Sequence, residues 1–88
     1  MSSDVRVVPN PNTGTFTVKG ILATTHDEEV TLEVTDVLGQ VIFKDKVTAF
    51  GGKINETISL SNSLANGMYM LNMSTANESK TFHFVIEQ

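Results

Sequence analysis

The sequence predicts a single all-β domain, an immunoglobulin-like antiparallel β-sandwich of about seven strands. Three observations favour this fold class. Runs of alternating apolar and polar residues recur along the chain, and alternation with a period of two places one set of side chains on each face of a strand. Segments rich in glycine, asparagine and proline separate these runs and supply turns. No window repeats apolar residues at the spacing of an amphipathic helix.

The predicted strands differ in how much of their surface they should bury. The sixth, residues 67–75, is apolar on both faces near its start, which is typical of a central strand. The fourth and fifth strands each place a carboxylate among their inward residues, Asp45 and Glu56. This pattern predicts an edge position for both strands, or a bulge near Asp45 in the fourth. The seven predicted strands are residues 5–8, 14–19, 29–35, 40–49, 53–60, 67–75 and 80–87.

Length and charge restrict the classes of function. The 88 residues suffice for one domain, which we place at residues 5–88, and the polar residues 1–4 are interpreted as an expression remnant. The formal net charge of −4 argues against a nucleic-acid partner and against a polybasic grip on anionic lipid. No apolar run approaches the roughly 20 residues of a membrane-spanning helix, so no direct membrane insertion is expected.

The sequence offers little for catalysis or metal binding. It has no cysteine, and His26 and His83 show no ligand spacing for zinc. We interpret His26 as a loop residue and His83 as an outward strand residue. The acidic run 27–29 lacks the alternating ligands of a calcium loop and is interpreted as a solvated loop. We therefore expect no catalytic residue, no metal and no cofactor, and a domain that is not an enzyme. A small hydrolase would need carboxylates or histidines converging in a pocket.

Four motifs carry more information than the strands alone. Residues 9–14 combine two prolines, two asparagines and a glycine before an aromatic strand. Between the third and fourth strands, Asp36 can accept hydrogen bonds from backbone N–H groups of a turn, and Gly39 suits a left-handed exit from it. Gly67 opens the sixth strand and is followed by Tyr69. The last motif is the aromatic and aliphatic closing strand.

In this order, the four motifs resemble the type A C-terminal sorting domain of the type IX (Por) secretion system of Bacteroidota. Residues 8–18 are similar to the family's Pro-Asn-Pro, glycine and aromatic strand, and residues 32–41 are similar to its strand, Asp-x-x-Gly turn and strand. Residues 60–71 are similar to its Leu-x-x-Gly-x-Tyr segment. The resemblance covers residues 5–86, and the Glu-Gln ending departs from it because many members finish with a basic residue.

The resemblance implies a transport role. Such a domain directs a larger cargo, upstream in the same polypeptide, from the periplasm through the outer-membrane translocon, and a surface sortase then cleaves it or the cargo is attached to the cell surface or released. The sorting and recognition residues that it implies are Pro9, Asn10, Pro11, Gly14, Phe82, Phe84, Val85 and Ile86. The fold-defining residues that it implies are Phe16, Asp36, Gly39, Gly67 and Tyr69.

Two alternatives stay open at this point. The domain could be an immunoglobulin- or fibronectin-like adhesion module, or a carbohydrate-binding accessory module, that stays attached to its protein. An aromatic sugar platform has little support, because every aromatic residue except Phe50 falls on a strand face assigned to the core. The first strand, residues 5–8, could also pair with a second copy, so a homodimer through edge strands is a further hypothesis.

Overall fold

The described part of the chain folds into seven antiparallel strands, as the alternation of apolar residues predicts. The computed structural model describes residues 3–61 and 63–88, and within them it contains no helix. No apolar helix of membrane-spanning length therefore occurs in this described part of the chain. The all-β fold class is confirmed. The strands are β1 (Asp4–Val8), β2 (Thr15–Ile21), β3 (Glu28–Thr35), β4 (Val41–Ala49), β5 (Lys53–Ser59), β6 (Gly67–Ser74) and β7 (Ser79–Ile86).

Two sheets form the sandwich. One has the strand order β1-β2-β5 and the other β4-β3-β6-β7, with all paired strands antiparallel. The strand with two apolar faces, β6, lies in the interior of its sheet as predicted. The two strands with a carboxylate among their inward residues, β4 and β5, are edge strands, which is also as predicted.

The core lies between the sheets and centres on three aromatic rings. Phe16 and Phe84 are each 1% exposed, and their ring centroids are 4.7 Å apart. Tyr69 stacks on Phe84 at 6.1 Å and joins β6 to the same cluster. Burial of a large apolar side chain stabilises a fold by about 1.5–3 kcal/mol, so this cluster is a main source of stability in so small a domain. The other buried apolar residues are Val5, Val18, Leu22, Val30, Leu32, Val34, Ala49, Ile54, Ile58, Leu71, Met73 and Ile86.

The strand β2 extends past Gly20, two residues beyond the predicted end. Gly20 has a φ of +154°, and a Cβ atom there would lie 2.1 Å from the backbone oxygen of Asp4. Glycine therefore allows β1 to approach β2 closely instead of ending the strand. The extension carries Leu22 into the core with no exposed surface, a placement that alternation within residues 14–19 does not predict.

The edge strand β4 contains a bulge, but not at the predicted place. Val34 pairs with Phe43 and Thr35 pairs with Val41, which leaves Ile42 as the extra residue. Asp45 lies in regular pairing opposite Leu32 and is exposed. The edge position alone therefore accounts for the carboxylate, since a charged side chain on an edge discourages pairing with another chain.

Candidate functional site

The sequence motifs collect at one end of the sandwich. Alternating strand directions give the sandwich two poles, and its longest dimension is 37 Å. The tail pole consists of residues 9–14, 36–40, 60–61, 63–66 and 87–88. The entry pole consists of residues 3–4, 22–27, 50–52 and 75–78. The motifs at residues 9–14 and 36–39 lie at the tail pole. The strand that Gly67 opens begins there, and the closing strand ends there.

The segment 9–14 docks against the outer edge of β7. The amide N–H of Asn12 donates to the carbonyl oxygen of Val85 at 2.9 Å, and the amide of Glu87 donates to the carbonyl oxygen of Asn12 at 2.8 Å. These two bonds form a parallel bridge between Asn12 and Ile86. The N-terminal part of the domain thus contacts both sheets. Its strand β1 pairs with β2 in one sheet, and the loop that follows β1 pairs with β7 of the other sheet at this bridge.

The Asn10 side chain completes the cover over the edge of β7. Its Oδ1 accepts a hydrogen bond from the amide of Val85 at 2.9 Å, and its Nδ2 donates to the carbonyl oxygen of His83 at 3.4 Å. A free strand edge is a template for pairing with another chain. Here the side-chain carboxamide of Asn10 and the backbone of residues 9–14 occupy that edge from His83 to Glu87.

The Asn12 side chain holds the loop in shape. It is 5% exposed, its Oδ1 accepts from the amide of Gly14 at 2.9 Å, and its Nδ2 donates to the carbonyl oxygen of Pro9 at 3.1 Å. Both X-Pro peptide bonds of the loop are cis. Pro9 and Pro11 are exposed, whereas Gly14 is buried. The loop therefore presents its prolines to solvent and keeps its second asparagine inside.

The residues of the closing strand fall into two groups. Phe84 is 1% exposed and Ile86 is fully buried, so a partner of the folded domain cannot contact either side chain. Phe82 and Val85 are half-buried and face the surface in part. Phe84 and Ile86 can therefore affect recognition only indirectly, by holding β7 in position.

The turn between β3 and β4 is fixed by Asp36, as its sequence predicts. The Oδ1 of Asp36 accepts from the amides of Leu38 and Gln40, both at 2.9 Å, and its carbonyl oxygen accepts from the amide of Gly39 at 3.0 Å. Gly39 has a φ of +83°, in the left-handed region that favours glycine. The bonds leave Val37 and Leu38 at the tip, with 68% and 81% of their surface exposed.

Tyr69 anchors the remaining loop of the tail pole. Its hydroxyl donates to the carbonyl oxygen of Ala65 at 2.6 Å, which ties the connection before β6 to the core. The Oδ1 of Asn66 in the same connection accepts from the amide of Gln88 at 2.9 Å. Gly67 has a φ of +147° at the start of β6. The end of the chain is thereby bonded to its neighbours at this pole.

The exposed apolar residues of this pole and of the adjoining starts of β4 and β6 are not assigned to any site by the motifs. Val37, Leu38, Val41 and Met68 each expose more than half of their surface around the turn. A turn needs only Asp36 and Gly39, so two apolar residues between them are a signal that turn chemistry alone does not explain. The apolar pair Val37 and Leu38 within this turn is therefore the feature of the sequence from which the exposed apolar surface could have been predicted.

The chemistry of the pole suits binding. Within residues 3–61 and 63–88, no three histidine, cysteine or carboxylate side chains are placed to hold a metal ion. His26 lies exposed in a loop of the entry pole, and His83 is exposed on β7. What the pole offers a partner is a backbone of fixed shape, two exposed prolines and apolar side chains.

Comparison with known proteins places these features in a family. The model of the family described as "Secretion system C-terminal sorting domain" matches residues 6–87. The endo-acting ulvan lyase of Formosa agariphila is 37% identical over 82 residues, which are 91% of this chain and 14% of the lyase. The chain thus spans a small part of the length of this relative.

Solved structures share the fold at low sequence identity. The dimeric latent PorU of Porphyromonas gingivalis is 18% identical with a TM-score of 0.71, covering 96% of this chain and 9% of that one. PorZ, a bacterial surface component of the type-IX secretion system of the same organism, is 18% identical with a TM-score of 0.64, covering 96% and 11%. A β-glucosidase from Listeria innocua is 13% identical with a TM-score of 0.51, covering 99% and 16%.

Proposed function

The chain belongs to the family of secretion-system C-terminal sorting domains of type IX secretion, and from that membership we propose how it works. It directs a larger cargo, joined at its N-terminal side, through the outer-membrane translocon. The domain itself has no catalytic role, and any enzymatic activity belongs to the cargo. The 14% share of the ulvan lyase that it matches supports a cargo several times its own size.

The docking of residues 9–14 on β7 is the observation that carries this proposal furthest. It joins the two sequence segments that resemble the sorting signal, which lie at opposite ends of the chain, into one surface. We propose that the recognised residues are the exposed Pro9, Asn10 and Pro11 together with the surface of β7 at Phe82 and Val85. Gly14, Phe84 and Ile86 contribute by holding this surface in place.

The compartments and partners follow from the same proposal. The domain folds in the periplasm, contacts the translocon, and reaches the outer-membrane surface or the medium. A surface sortase then removes it, or it stays as the point of attachment to the cell surface. We propose that the domain spans residues 5–88; β1 begins one residue earlier, at Asp4, and the backbone carbonyl of Ser3 accepts a hydrogen bond from Lys80 at 3.2 Å.

A fusion experiment tests the function. A periplasm-directed fluorescent passenger that carries residues 1–88 at its C-terminus should reach the surface or medium of a Bacteroidota host with type IX secretion. We expect the same fusion to accumulate in the periplasm of an isogenic host that lacks the translocon. The measurement is passenger fluorescence in periplasmic, surface and medium fractions.

The control is the passenger without the domain, which should stay in the periplasm in both hosts. A fusion that stays in the periplasm of the competent host would contradict the proposal. It would favour an adhesion or carbohydrate-binding module, which keeps its protein bound to a partner and does not act as a secretion signal.

A further inference from the structure

An apolar patch stands out at the tail pole, on the turn that joins β3 to β4 and on the adjoining starts of β4 and β6. It consists of Val37, Leu38, Val41 and Met68, with 68%, 81%, 54% and 51% of their surfaces exposed, and we call it the tip patch. Only Ile21 and Phe50 are comparably exposed large hydrophobic residues elsewhere in the described part of the chain. Clustered exposed apolar side chains on a small domain mark an interaction surface.

The tip patch is displayed by a rigid turn. The two bonds that the Asp36 carboxylate accepts, from Leu38 and Gln40, fix the backbone on both sides of the exposed pair. A binding surface that is already ordered loses little conformational entropy when a partner docks. The turn therefore presents Val37 and Leu38 in a form suited to insertion into a groove.

The charged side chains of the tail pole have one sign. Among the described residues of the tail pole, Asp36 and Glu87 are the only charged side chains. Every lysine and arginine of the chain lies outside the residues of this pole. A complementary partner therefore has an apolar groove with basic groups at its rim.

The position of the patch leaves it free of the cargo. In a C-terminal sorting domain the preceding chain joins at the N-terminal side, and Ser3 and Asp4 lie at the entry pole. The tip patch lies at the opposite pole of a molecule 37 Å long. The cargo thus extends away from the patch and leaves it accessible.

We infer that the tip patch is a docking surface for a protein of the export machinery, which receives Val37 and Leu38 in an apolar groove with a basic rim. This inference rests on the proposed function and adds a contact site separate from the loop 9–14. Like charges disfavour a second copy as the occupant, because self-pairing of this pole would bring its carboxylates together.

The test replaces the two tip residues and leaves the turn intact. The fusion with Val37→Ser and Leu38→Ser should be secreted at least about fivefold less than the unmodified fusion, because two central apolar contacts are lost. The melting temperature of the domain should change by no more than about 2 °C, since both side chains are exposed. The matched control is Phe50→Ser, which removes a side chain that is 69% exposed at the entry pole.

Each outcome has a distinct meaning. Loss of secretion in the double variant, with normal secretion of Phe50→Ser and unchanged melting temperatures, supports the inference. Normal secretion of the double variant overturns the inference and leaves the proposed function standing. Failure of the unmodified fusion overturns the proposed function. If light scattering shows that the unmodified domain is a dimer and the double variant a monomer, a second copy occupies the patch and the inference is wrong.

Discussion

Replacement of Phe84 by alanine should reduce the free energy of unfolding by about 3–5 kcal/mol and abolish secretion of a fused passenger. The ring is 1% exposed, lies 4.7 Å from Phe16 and stacks on Tyr69, so its removal leaves a cavity at the centre of the sandwich. A domain of this size has a total stability on the order of 5–10 kcal/mol. The substitution therefore removes much of the total free energy of unfolding. The surface formed by β7 and residues 9–14 then loses the packing that supports it.

Urea denaturation of the isolated domain and secretion of the fusion measure the two parts of this result. Phe50→Ala is the matched control, because it removes the same ring from an exposed position and should change the stability by no more than about 0.5 kcal/mol. If Phe84→Ala were strongly destabilised and still secreted normally, recognition would not depend on the folded surface. Deletion of residues 82–88 is a less specific test, because it removes core residues together with the closing strand.

Replacement of Asn12 by alanine should detach the loop from β7 and reduce the free energy of unfolding by about 2–3 kcal/mol. The substitution removes the acceptor for the buried amide of Gly14 and the donor to the carbonyl oxygen of Pro9. A buried donor without a partner costs more than the lost bond alone. We expect secretion to fall together with hydrogen-exchange protection of the Glu87 amide, which donates to the backbone of Asn12.

Asn55→Ala provides the comparison for this variant, because Asn55 is exposed on β5 and lies outside the tail pole. It should leave both the protection of Glu87 and secretion unchanged. Retained protection of the Glu87 amide in Asn12→Ala would show that the loop docks without its internal hydrogen bonds. The assigned role of the Asn12 side chain would then be wrong.

The alternation of apolar and polar residues predicted the strands, because a strand's two faces are set by residues that are neighbours in sequence. Alternation placed the seven strands within about two residues and identified β6 as central. It missed Leu22 because Gly20 resembles the end of a strand in sequence, whereas in the fold it admits the backbone of Asp4. Close approach between strands is a tertiary property that a glycine in a sequence does not specify.

The candidate surface was predictable in its parts and not in its contacts. The motif at residues 9–14 and the closing strand were both identified, but the hydrogen bond from Val85 to Asn10 joins residues 75 positions apart. No local periodicity encodes such a pair. The burial of Phe84 follows the alternation, whereas the burial of Asn12 and the exposure of the loop prolines depend on these distant contacts.

Under the proposed function, the bridge between Asn12 and Ile86 makes recognition of the domain depend on a complete fold. One half of the surface is near the first residues of the domain and the other half is in its last strand, β7. A chain that is interrupted, truncated or still unfolded lacks the paired edge, whatever motifs its sequence retains. A receptor that binds the proposed surface would therefore distinguish a folded domain from one in which β7 has not yet paired with residues 9–14.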